Sequence, residues 1–72
     1  MENHQKRIGQ RIARAREAKG WTQHQLADAL GINDTQISRY ENGRHTPKPR
    51  RYEALANALE VPAETFFYDP PG

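Results

Sequence analysis

Cysteine is absent from this chain of 72 residues. That excludes a disulfide framework and any thiolate metal site. Long hydrophobic runs are missing as well. No stretch approaches the roughly 18–20 apolar residues of a membrane-spanning helix, and no signal-peptide pattern opens the chain. The three histidines, His4, His24 and His45, stand far apart without metal-ligand spacing. No glycine-rich phosphate loop or nucleophile motif occurs, and so short a chain offers little pocket. These absences predict a small soluble protein that is no enzyme and holds neither metal nor cofactor. Strand alternation, internal repeats and low-complexity tracts are missing too, which points to an all-α fold.

Net charge is only +2, but charge of one sign is missing from whole segments. Residues 22–38 contain no Lys or Arg, only Asp28 and Asp34. Residues 52–72 carry four acids and no base. The bases concentrate elsewhere. Residues 1–21 hold six Lys/Arg against two acids, and residues 39–51 hold five against Glu41 alone. Such polarity presents a basic side to an anion and keeps an acidic side away from it.

Ile8, Ile12 and Ala15 recur at helical period, with Arg7, Arg11 and Arg14 on a neighbouring stripe that reads as a solvated face. Lys19 and Gly20 are C-terminal signals, so a first helix is expected over about 5–19. Thr22 with Gln25 forms a capping-box pattern before Leu26, Ala27 and Leu30, and Gly31 ends that helix. Asn33 with Gln36 caps a third helix, whose apolar anchors are Ile37 and Tyr40 and whose stop is Asn42-Gly43. The turn between the two helices is too short for antiparallel packing and implies the sharp crossing of a helix-turn-helix. Pro49 suits the start of a fourth helix carrying Tyr52, Leu55, Ala56 and Leu59. Pro62 opens a fifth, short one with Phe66 and Phe67. Residues 1–68 are read as one domain and residues 69–72, ending Pro70-Pro71-Gly72, as a tail or the start of a linker. The expected core is Ile12, Leu26, Ala27, Leu30, Ile37, Tyr40, Leu55, Leu59 and Phe66.

With Ile37 and Tyr40 inward, Asp34, Thr35, Ser38 and Arg39 point outward. In the major groove, Arg39 suits guanine O6/N7, Asp34 accepts from cytosine N4, and Thr35 touches a thymine methyl. Each has a plainer alternative. Asp34 also suits a helix N-terminus for the dipole alone, Arg39 also suits a surface acid, and Ser38 also suits phosphate.

The run IGQRIARAREAKGWTQHQLADALGINDTQISRYENGRHTP resembles the Cro and lambda-repressor helix-turn-helix family. The likeness extends over residues 7–67 and rests on Thr22-Gln23, Leu26-Ala27, Gly31, Ile37-Ser38 and Tyr40-Glu41-Asn42-Gly43. Trp21, where the family usually has an aliphatic residue, and Asp34, where Arg or Gln is common, depart from it. The resemblance implies a compact five-helix lambda-repressor-like domain with helices 2 and 3 as the helix-turn-helix. It implies a DNA-binding transcriptional regulator, a repressor bound as a dimer to a palindromic operator, cytoplasmic and nucleoid-associated when bound. Gln23 would contact phosphate at the start of helix 2, and Asn42 with the amides after Gly43 at the other end, with Asn33, Arg44 and Lys48 as additions. Arg16 and Glu41 would form an ion pair of structural role. Phe67 and Tyr68 would form either the homodimer surface or, on the alternative reading, the contact surface of a protein-interaction module such as an antitoxin or coactivator. His24 reads as a solvated histidine, with a phosphate contact as its alternative.

Overall fold

Local signals along the chain set most of the helix ends. In the computed structural model, which describes residues 4–68, four α-helices run as α1 (His4–Ala18), α2 (Gln23–Leu30), α3 (Asp34–Glu41) and α4 (Pro49–Leu59). No strand occurs among the described residues. The Thr22 hydroxyl accepts from the Gln25 amide while the Gln25 side chain accepts from the Thr22 amide, closing the capping box of α2. Gly31 ends α2 at φ 71°, ψ 30°, a left-handed conformation open to glycine without the Cβ penalty. Two residues later the Asn33 carboxamide accepts from the Gln36 amide at 2.9 Å and starts α3. Pro49 opens α4, where a missing N–H is harmless.

The fifth helix expected after Pro62 is a single 3-10 turn, Ala63–Phe66, so the described residues form four α-helices rather than five. Four residues with one buried anchor, Phe66, do not propagate an α-helical ladder. The expected tail, residues 69–72, lies outside the described residues.

The core gathers Ile8, Ile12, Ala15, Leu26, Ala27, Ile37, Tyr40, Tyr52, Leu55, Ala56, Leu59 and Phe66. Each large aliphatic or phenyl side chain fully withdrawn from water there contributes about 1.5–3 kcal/mol. Leu30 departs from expectation: at the last position of α2 it is only half-buried against the core. Arg11 departs further. Instead of lying on a solvated stripe it is buried, with Nη1 donating to the Phe66 carbonyl at 3.3 Å. A cation on the carbonyl at the end of the 3-10 turn ties that turn to α1. Lys19 closes the same side, pairing with Glu60 at 2.6 Å while its ammonium lies 4.8 Å from the centroid of the Trp21 ring.

Helix α3 packs on α1 and α2, while α4 closes over α2 and α1 from the other side. The α1–α3 approach depends on Gly9. A Cβ built there would stand 2.4 Å from the carbonyl oxygens of both Tyr40 and Glu41, the last turn of α3. On the far side of the same junction, Gly43 lies against the Lys6 backbone. In an open helix Gly→Ala gains up to about 1 kcal/mol. Here the backbone clash reverses the sign, because a helix end cannot move aside like a side chain. Gly9→Ala is expected to lower stability by about 1–3 kcal/mol or more, read by thermal or denaturant unfolding. An unchanged or raised melting temperature would show that α1 and α3 are not in backbone contact.

Candidate nucleic-acid interface

Helix α3 reaches the core through two side chains, Ile37 at 0 % and Tyr40 at 6 % exposure. On its other face Asp34, Thr35 and Arg39 are exposed and Ser38 is half-buried. Asp34 occupies the first helical position after the Asn33 cap, where the helix dipole favours its charge. Ser38 is engaged within the helix, its hydroxyl accepting from Asn42 Nδ2 at 3.2 Å.

Around the last turn of α3 three helices meet at one carboxylate. Arg16 Nε and Nη2 reach the two oxygens of Glu41 at 2.7 and 3.1 Å, a two-pronged contact. Arg16 Nη1 donates to the Trp21 carbonyl at 2.7 Å. From α2, Gln23 Nε2 donates to Glu41 Oε1 at 3.0 Å. The pair is largely shielded, with side-chain exposures of 13 % and 6 %. Hydrogen bonding and charge from Glu41 raise the Arg16 pKa despite its desolvation, so the guanidinium stays charged. Arg16 and Gln23 therefore join α1, α2 and α3 at Glu41.

Gln23 was read from sequence as a phosphate contact at the start of α2. Its NH2 group has two hydrogens, and one of them is directed at Glu41. At the other end, the amides after Gly43 are turned inward. Gly43 N donates to the Tyr40 carbonyl, and the amides of Arg44 and His45 both go to the Arg39 carbonyl, at 2.9 and 3.3 Å. These donors satisfy the C-terminal carbonyls of α3, which an eight-residue helix leaves without internal partners. The amides of Gly43 and its followers, expected from sequence to face phosphate, thus have internal partners. The side chains of Arg44 and Lys48 remain exposed. With Gln36, Tyr40, His45, Thr46 and Arg51 they line an open groove of about 600 Å³ beside α3 that contains no carboxylate. Arg51 and His45 were not singled out as site residues by sequence reasoning; the cluster of five bases in residues 39–51 was the available signal.

His24 and Asp34 are a second unforeseen pairing. His24 Nδ1 lies 2.9 Å from Asp34 Oδ1, joining the start of α2 to the first residue of α3 at the surface. The hydrogen bond and charge of Asp34 raise the His24 pKa, with Asp28 adding in the same direction. The contact therefore supports the fold below the ordinary histidine pKa and is lost as pH rises through the raised one. No group of three or more metal-capable side chains gathers among the described residues, and no helix of theirs is long and apolar enough to cross a membrane.

The family model described as "Helix-turn-helix domain" matches residues 7–66. The chain belongs to the helix-turn-helix domain family. Among its relatives, the HTH-type transcriptional repressor RghR of Bacillus subtilis is 41 % identical over 62 residues, 85 % of this chain and 46 % of the relative. The chain spans about half the length of the curated relatives it matches. The restriction–modification controller protein C.AhdI of Aeromonas hydrophila superposes with a TM-score of 0.79 at 30 % identity, covering 83 % of this chain and 87 % of that one. A hypothetical transcription factor of Neisseria, NHTF, gives a TM-score of 0.86 at 28 % identity, over 94 % and 78 % of the two chains. The helix-turn-helix of this protein is α2–Gly31–α3, braced from behind by Arg16 and Glu41.

Glu41→Gln tests that brace. It leaves a shielded guanidinium facing a neutral amide, so stability should fall by about 1–3 kcal/mol, more than the ~0–1 kcal/mol of an exposed pair. Chemical denaturation of the variant checks it, and a loss within the exposed-pair range would mean the contact carries little of the junction.

Proposed function

We propose that this protein is a reader of double-stranded DNA, a transcriptional regulator of the repressor kind that sets α3 into the major groove. One observation carries the reading: α3 enters the core through Ile37 and Tyr40, while Asp34, Thr35 and Arg39 stand exposed beside a groove lined by Arg44, Lys48 and Arg51. A polar helix face flanked by cations matches base edges flanked by phosphates. The repressor relative RghR and the controller protein C.AhdI support the same direction.

In this reading Arg39 pairs with a guanine edge, Asp34 accepts from a cytosine amino group, Thr35 meets a thymine methyl, and Ser38 lies against the groove wall. Phosphate contacts come from the second NH2 hydrogen of Gln23, from the Asn33 and Asn42 carboxamides, and from the Arg44 and Lys48 side chains. Gly43 contributes by shaping the turn, since its amide is engaged. A module of this size touches few base pairs, so two copies on a palindrome about one helical turn apart give the needed affinity. The exposed Phe67 and Tyr68 are the surface assigned to that dimer.

The test starts from in vitro selection in a random duplex library, followed by variants on matched, mismatched and unrelated duplexes at several salt concentrations. Arg39→Ala should weaken the selected site by about 1–3 kcal/mol and relax base choice at one position per half-site. Gln23→Ala should weaken all duplexes by similar factors without changing the preferred sequence, and with little effect on salt dependence. Arg44→Ala or Lys48→Ala should flatten the dependence of log K on log salt by roughly one unit per chain. Equal loss on every sequence with Arg39→Ala would make Arg39 a phosphate clamp. Failure of any duplex to be selected would end the DNA reading.

A further inference from the structure

The contact between His24 and Asp34 joins the two elements that face DNA in the reading above, and the inference rests on that reading. Both side chains are largely exposed, at 74 % and 55 %, so burial does not explain the pairing. Neither residue contributes to the core. What the pair has is position. Asp34 is the first residue of α3, and His24 is the second residue of α2. In that reading an unpaired carboxylate at that place would meet the negative potential of the duplex, and residues 22–38 contain no Lys or Arg to offset it.

We propose that His24 is a positioning residue of the DNA-reading face, which holds the Asp34 carboxylate and binds DNA in its protonated form. With His24 charged, the pair is neutral overall, and its second nitrogen points a donor away from Asp34. With His24 neutral, the pair carries a full negative charge at the protein–DNA boundary. The negative potential of the duplex favours the first state, so binding takes up a proton. The charges bearing on the ring are Asp34 from α3 and Asp28 further along α2, both of which act in the same direction as the duplex. Linkage then fixes the sign: affinity falls as pH rises between the His24 pKa of the free protein and that of the complex. The limit is about tenfold per pH unit for each bound chain. While held by His24 through Oδ1, Asp34 keeps Oδ2 to accept from a base.

The experiment is an NMR titration of the histidine rings of the full chain, free and saturated with its selected duplex, alongside affinity measured from pH 5.5 to 8.5 at constant ionic strength. The free His24 ring should titrate above the ordinary value of about 6.5, Asp34→Asn should bring it down, and the duplex should move it higher. His24→Gln should lose the corresponding share of the pH slope. Melting of His24→Gln near that of the parent confirms that the exposed substitution has not simply unfolded the domain. A His24 midpoint that ignores Asp34→Asn, or that the duplex does not move, overturns the proposal although DNA still binds. So does a His24→Gln variant with the parent's full slope. Absence of any duplex binding at pH 6 overturns the DNA reading itself, and this inference with it.

Discussion

The placement of α3 depends on one shielded carboxylate. Glu41 ends α3, and it receives two donors from Arg16 on α1 and one from Gln23 on α2, while the remaining Arg16 arm holds the chain at Trp21 between those helices. An eight-residue helix is too short to hold its own orientation or even its own helicity in water. Fixing its far end to two other helices determines how its near end stands out from the body. Gly9 serves the same purpose by sterics: α1 comes close enough for the pair to form only because no Cβ intervenes. Partial burial of both charges makes the contact directional, since an offset partner would leave desolvated charge without compensation.

Much of this fold is written in short-range signals, and those are legible. The Thr22–Gln25 box, the Gly31 turn, the Asn33 cap and Pro49 each act within four residues, and each sets a helix end close to where the local chemistry indicates. Period alone identifies Ile12, Leu26, Ile37 and Leu55 as core. The features that escape are those decided by distant partners. Gly9 looks like an indifferent small residue until the end of α3 arrives 31 residues later along the chain. Arg11 shares a stripe with Arg14, and burial with a hydrogen bond to the Phe66 carbonyl sets it apart. The fifth helix fails for a different reason: four residues and one anchor suffice for a turn and not for an α-helix.

The candidate interface shows the same division. The outward residues of α3 follow from its two inward anchors, so Asp34, Thr35 and Arg39 are readable from spacing. Hydrogen-bond commitments are not. The amides of Gly43, Arg44 and His45 close the helix behind them, the Gln23 amide divides between Glu41 and the outside, and Asp34 has His24 as a companion. Each is a competition between an internal acceptor and an external one, and sequence displays only the donor. The positive character of the groove beside α3 therefore comes from the side chains of Arg44, Lys48 and Arg51 rather than from backbone amides.

The central claim is that α2 and α3, braced through Glu41, form the surface that meets DNA. The most direct measurement is the change in backbone amide shifts of the isotope-labelled chain on addition of a saturating selected duplex. The account predicts the largest changes over residues 22–25 and 33–39 and through the loop at 42–48, with little change along the acid-only segment 52–68. Shifts concentrated instead on residues 61–68 and the adjoining face of α1 would contradict it, because the duplex would then be meeting the side opposite the braced helix.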